Sequence, residues 1–343
     1  MIRALLGRVF SGILLVVVLS FLSFAVWSTI PRSANINLAL PRDWTQAQKA
    51  EALQELGLDR ALYEQWGDYV WSLGTRGDFG HTLSLGGGAP VRPVLMDALP
   101  RTLWLAAGGF VLALLLAVPL GLLSALRRGS RLDRGILFFS VVGVAMHPFV
   151  LGLILKYVLA TRLGVAPPGE YCPVRGIAEY GDPTVPWGNY HTCGGVTAWL
   201  DHMWLPWLTF ALFFLPIYTR IVRTRLVETL GEQYVTTARA KGASERRIVT
   251  RHVLRSGFVP LAAIIAVDVG TIIVAAIYIE TIFGLGGIGT LVVHNLSGEF
   301  GYDRTVVVGI VVLVAMAITI ANLLADVTIR SLDPRVRGAS RAF

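Results

Sequence analysis

Long apolar runs separated by short charged connections set the pattern of this chain. Six runs of roughly 20 residues, the length a helix needs to cross about 30 Å of hydrocarbon, fall at about 9–30, 102–126, 135–161, 203–222, 258–280 and 305–328. The pattern predicts an all-α membrane protein with six transmembrane helices. The first run follows Arg3 and Arg8 but exceeds the 7–15 residues of a signal-peptide core, so it is read as a span.

Between runs one and two, the stretch "TQAQKAEALQELGLDRALYEQWGDYVWSL" carries Leu53, Leu56, Leu62, Tyr63, Trp66, Tyr69 and Val70 at near-helical spacing. Thr45 suits a helix start and Gly57 an interruption. Two short amphipathic helices on the outer membrane face are expected, then a "RGDFGHTL" turn and a glycine-rich "LGGGAP" loop. The Arg-Gly-Asp triplet within that turn is short, and a turn role is favoured over adhesion. The chain thus divides into a first span (1–30), an extracytoplasmic segment (31–101) and a transmembrane core (102–343). No internal repeat is evident.

Charge gives the orientation. Arg127, Arg128, Arg131 and Arg134 lie between runs two and three. Nine Lys/Arg lie between Arg220 and Arg255, and Arg330, Arg335, Arg337 and Arg341 close the chain. Cations in short connections mark the cytoplasmic side, which places both termini there. The other loops, such as "GEYCPVRGIAEYGDP", are balanced or acidic and face outward. Cys172 and Cys193 share the outward loop 162–202, where an oxidising compartment favours a disulfide. A metal site that adds His191 falls short of four ligands, and two free thiols are the third reading.

Composition agrees. Of 343 residues 54% are hydrophobic and 15% charged, with a net charge of +8, too few charges to cover a soluble domain of this apolarity. The three lysines, Lys49, Lys156 and Lys241, fit no phosphate-cradling Walker loop. Neither a His-Glu-x-x-His zinc helix nor a Gly-x-Ser-x-Gly elbow is present. The chain is therefore expected to be neither an enzyme nor a nucleic-acid binder, with no metal site and no cofactor of its own.

Polar groups inside the spans are costly and mark candidate sites. His147, before Pro148, and Asp268 are candidates for a translocation path. For His147 the alternative is a ring bonded to carbonyls freed by the proline. For Asp268 it is a carboxylate needing water, a partner or a proton. Asn322 and Asp326, one turn apart, suit a contact between helices, and Lys156 is expected to snorkel.

The stretch "EQYVTTARAKGASERRIVTRHVLRSGFVP", 232–260, needs more than a basic cytoplasmic face. Its first turns are helical, Gly242 stops them, and Ser244 suits the cap of a second helix opened by Glu245. Ala238 and Gly242, four apart, predict a small-residue notch on one face. A rigid helix-turn-helix between two spans is suited to docking in a groove. The stretch resembles the EAA signature of permease subunits of ABC importers, in the form of the dipeptide and oligopeptide permease family. The match runs through Tyr234, Val235, Thr237, Ala238, Arg239, Ala240, Lys241, Gly242, Ser244, Glu245, Arg246, Arg247, Arg251, His252, Leu254, Arg255 and Pro260. "RRGSRLDR", "ETIFGLGGIG" opened by Glu280, and "NLLADVTIRSLDPRVR" also resemble the family; Gly286 stands where it usually has proline.

The resemblance implies a multi-pass permease subunit of the bacterial cytoplasmic membrane, importing di- or oligopeptides. It assigns coupling to ATP-binding subunits to residues 223–256. It implies a second permease, two ATP-binding subunits or a fused pair that hold ATP and Mg, and an extracytoplasmic solute-binding protein. Glu280, Asn322 and Asp326 are read as structural. Alternatives are nickel or another small solute, and a stand-alone secondary transporter using Asp268.

Overall fold

The computed structural model describes residues 2–28, 45, 60–82, 88–180, 191–250, 254–297 and 303–332. In chain order these form α1 (Ile2–Ser28), α2 (Leu62–Arg76), α3 (Val91–Leu126), α4 (Arg131–Val144) and α5 (Pro148–Leu155), which runs on as π-helix over Lys156–Arg162. Then come β1 (Ala178–Tyr180), β2 (His191–Cys193), α6 (Val196–Leu230), α7 (Gln233–Ala240), α8 (Glu245–Ile248), α9 (Leu254–Phe283), α10 (Ile288–Ser297) and α11 (Arg304–Leu332).

Among the described residues, four helices are long and apolar enough to cross a membrane: α1 over Gly7–Trp27, α3, α6, and α11 over Arg304–Leu324. The count reaches six if each of two broken helix pairs is one span. The third expected span is such a pair. In place of one helix over 135–161, α4 and α5 with its π-helical extension meet at 103° across Ala145–His147. Pro148 has no N–H to give and disfavours helix at the residue before it, so α4 stops and α5 starts afresh. The second expected span also begins earlier, because α3 starts at Val91, with Pro93 tolerated in its first turn.

The chain forms two compact units, 1–101 with 286–323, and 102–285 with 324–343. In the first, α2 lies on α1: Trp66 meets the ring of Phe21 at 5.3 Å and Tyr69 that of Phe24 at 5.4 Å. Trp66 Nε1 donates to Ser20 Oγ at 3.1 Å. Of the two short helices expected after the first span, α2 is the second, and the first lies outside the described residues. Tyr69 is buried, but Tyr63, expected on the apolar face, is 69% exposed. The Arg76-Gly77-Asp78 triplet is a helix end. Gly77, at φ 62°, donates to Leu73 O, and Asp78 Oδ1 accepts from the Gly80 N–H at 2.9 Å. Gly286 has φ +65°, outside a proline ring's range, and Arg101 Nη1 donates to its carbonyl at 3.0 Å. A proline there would need a different backbone.

The second unit is organised around α6, whose buried face runs from Trp199 through Phe210, Phe214 and Tyr218 to Leu226. Glycines bring neighbouring helices close to it. A Cβ on Gly108 would lie 2.3 Å from the Trp207 ring, and one on Gly143 would lie 2.3 Å from Pro216 Cγ. Close approach through small residues is how helices pack where lipid removes the hydrophobic drive between them. β1 and β2 pair antiparallel with Ala178 opposite Cys193, and Cys193 is bridged to Cys172 with Cα atoms 5.5 Å apart. The thiols are thus consumed by each other, which removes the metal reading for this loop. Lys156, half-buried, donates from Nζ to Ile282 O at 2.6 Å, and the Glu170 N–H donates to Phe283 O at 2.8 Å. Lys156 therefore caps the end of α9, where snorkelling was expected.

Candidate functional site

The connection from α6 to α9 builds the first candidate site. Val235, Ile248 and Val249 are buried, and Val235 and Ile248 root the segment in the core of its unit, with Ala238 and Ala243 half-buried against that core. Between these anchors the chain reverses at Gly242, whose φ of +79° favours glycine. The Gly242 N–H donates to Arg239 O at 2.9 Å and the Ala243 N–H to Ala238 O at 3.1 Å. Together these bonds close the end of α7 in a Schellman turn.

Tyr234, Thr237, Ala240, Lys241, Gly242, Ser244, Glu245 and Arg247 remain exposed. Ala238 is not among them. It faces its own core, so the notch expected from Ala238 and Gly242 does not form on one outward face. The reason is periodicity, since the turn at Lys241–Gly242 ends the helix before position 242 reaches the face of position 238. Ser244 occupies the position before α8, but its side chain makes no capping hydrogen bond. Glu245 instead accepts from Arg239, Nε to Oε1 at 2.7 Å and Nη2 to Oε2 at 3.2 Å. That guanidinium holds the Glu245 carboxyl below the usual carboxylate range.

Just before this segment, α6 is tied to α4 by a pair that sequence reasoning missed. Asp133, 2% exposed, takes Arg223 in a fork, Nε to Oδ1 at 2.6 Å and Nη2 to Oδ2 at 2.8 Å. Ser124 Oγ donates to Oδ1 at 2.5 Å and the Gly129 N–H to Oδ2 at 2.9 Å. The carboxylate is thus fully engaged. A lone acid within the arginine-rich "RRGSRLDR" was the available signal, but nothing local points 90 residues on to Arg223.

The second candidate lies at the α4–α5 break. His147 Nδ1 accepts from the Phe149 N–H at 3.3 Å, and its ring meets Tyr278 edge-on at 4.8 Å. It therefore caps α5 through an N–H, where bonds to freed carbonyls were expected. His147 also lines a cavity of about 310 Å³ with residues of α4, α5, α6 and α9. Asp268, one turn along α9, is half-buried and accepts from Tyr218 Oη at 2.8 Å. The carboxylate has the partner it needed.

The two candidate sites sit in a chain with known relatives. Residues 117–338 match the family described as binding-protein-dependent transport system inner membrane component, and residues 1–106 match its N-terminal region. The chain belongs to this family. It is 30% identical over 327 residues to the dipeptide transport system permease protein DppB of Escherichia coli strain K12, covering 93% of this chain and 94% of that one. The oligopeptide transport system permease protein AppB of Bacillus subtilis strain 168 is 30% identical over 332 residues, covering 97% and 98%. A chain of the MetNI methionine ABC transporter, in an inward-facing conformation, aligns with a TM-score of 0.53 over 71% of this chain and 97% of that one. At 17% identity that likeness shows the fold alone.

This transport component is a multi-pass membrane protein. Glu280 is fully buried near the end of α9. Asn322 is exposed on α11, and the side chain of Asp326, like those of Arg251, His252, Leu254, Arg255 and Pro260, lies outside the described residues.

Proposed function

We propose that this chain is one permease half of an ATP-driven importer for di- or oligopeptides, and that α7, the Gly242 turn and α8 are its contact with the ATP-binding subunits. The observation that carries the reading is the geometry of that turn. A helix-turn-helix between α6 and α9, anchored in its own core by Val235 and Ile248, presents exposed Ala240, Lys241, Gly242 and Arg247. Full-length relatives named as dipeptide and oligopeptide permeases support the solute class.

On this reading the chain crosses the membrane six times with both termini in the cytoplasm, counting each broken pair as one span. A second permease completes the path, two ATP-binding subunits or a fused pair supply ATP and Mg, and a solute-binding protein delivers peptide from outside. ATP-driven closure displaces the α7–α8 turn, and α9, which starts beyond it, shifts the packing around the α4–α5 break. Such a two-state change responds to each ligand only through differential affinity.

Ala240→Asp and Gly242→Asp test this in reconstituted complexes. A Cβ at Gly242 meets nothing within 4 Å, so the substitution strains the turn by about 1 kcal/mol without clashing with the chain itself. Both variants are expected to insert and pair with the second permease, yet to lose co-purifying ATP-binding subunits and peptide uptake. Wild-type docking and uptake in both would reject the assignment.

A further inference from the structure

The break between α4 and α5 has a chemistry of its own. Non-helical backbone at membrane depth is tolerated only where protein covers it or where it lines a water-filled cavity. Ala145 and His147 are exposed at the break and both line the cavity of about 310 Å³. On the opposite wall Thr271, Ala275 and Tyr278 recur along one face of α9.

Among the described residues, the cavity walls hold no Lys, Arg, Asp or Glu. A charged group entering would lose hydration without gaining a counter-charge from these walls. An uncharged side chain avoids that cost. The rings of His147, Tyr278 and Phe213 offer edge and face contacts to an apolar or aromatic group. Met146 has a flexible thioether that adapts to groups of different shape. The volume sits at the lower end of small-ligand sites, enough for one side chain and its flanking amides.

We propose that this cavity is a contact site on the solute path that takes one uncharged apolar or aromatic side chain of the passing peptide, with the Thr271 hydroxyl bonding the adjacent main chain. The proposal rests on the peptide-permease reading. It makes Ala145 a specificity-determining position, since its side chain borders the cavity at the exposed break.

The chain's two cysteines are bridged to each other, so Ala145→Cys introduces its one reactive thiol. In the complete reconstituted importer, a membrane-impermeant maleimide is expected to label that thiol, and excess phenylalanyl-phenylalanine during ATP turnover to slow labelling. Ala145→Phe, which narrows the cavity, is expected to lower uptake of phenylalanyl-phenylalanine relative to alanyl-alanine by about tenfold, the scale of discrimination an apolar pocket achieves. An unlabelled thiol, as when a helix of the second permease fills the cavity, overturns the proposal. So does labelling that peptide leaves unchanged, or an unaltered uptake ratio. If the wild-type complex hydrolyses ATP but imports neither peptide, the peptide reading itself fails and the site fails with it.

Discussion

Arg223 grips Asp133 with both edges of its guanidinium, at 2.6 and 2.8 Å, across 90 residues of sequence. The pair fastens the start of α4 to α6 about two turns before α6 ends at Leu230. Removing one member of such a buried pair leaves an uncompensated charge, which costs about 3–5 kcal/mol. Arg223→Ala is therefore expected to lower the thermal unfolding midpoint of the purified complex substantially. Replacing both residues with apolar ones, as in Asp133→Leu with Arg223→Met, should recover much of the loss. Equal midpoints for Arg223→Ala and wild type would show that the pair does not hold this corner.

His147 is expected to act through its cap on α5. His147→Asn keeps a side-chain acceptor at the position and should retain stability, whereas His147→Ala should cost about 1 kcal/mol. Thermal unfolding of the two variants separates them. If alanine and asparagine behave alike, the 3.3 Å bond to Phe149 is incidental.

The Cys172–Cys193 bridge closes a loop with a sequence separation of 21. Its removal by Cys172→Ser with Cys193→Ser should destabilise this loop by about 3 kcal/mol, the chain-entropy value for a loop of this size. Limited proteolysis between the two positions should quicken accordingly. Unchanged cleavage would mean that the hairpin and the Glu170 contact hold the loop unaided.

Tyr218→Phe removes the donor that satisfies Asp268 and should cost about 1–3 kcal/mol. Asp268→Asn, which still accepts that hydrogen bond, should leave uptake ATP-dependent and insensitive to a proton gradient. Uptake lost in Asp268→Asn, with assembly and ATP hydrolysis intact, would return the carboxylate to the solute path or to proton coupling.

The apolar runs and the Gly242 turn were legible because each is written in adjacent residues: a 20-residue apolar stretch, or a glycine between two helical patterns. Exposure was less so. Ala238 and Tyr63 were placed on the wrong faces, because helical spacing says which residues share a side but not which side meets the core. The Asp133–Arg223 and Tyr218–Asp268 pairs were invisible for a different reason. Each joins separate helices, so the partner of a polar residue is fixed by packing that no local pattern encodes. The bend at His147 lay between: Pro148 announced a break, but its angle depends on α6 and α9.

α6 is 35 residues long, about 52 Å of helix against about 30 Å of hydrocarbon. Its apolar run stops at about Val222, so Leu230 stands about 12 Å farther along the axis. On the six-span reading, Arg220 and Arg225 lie near the lipid headgroups, while Lys241, Arg246 and Arg247 follow the helix end at Leu230, which stands about one Debye length farther out. The two sets of cations thus answer to different surroundings. Changing the anionic lipid content should act on the first set, and changing cytosolic ionic strength on the second.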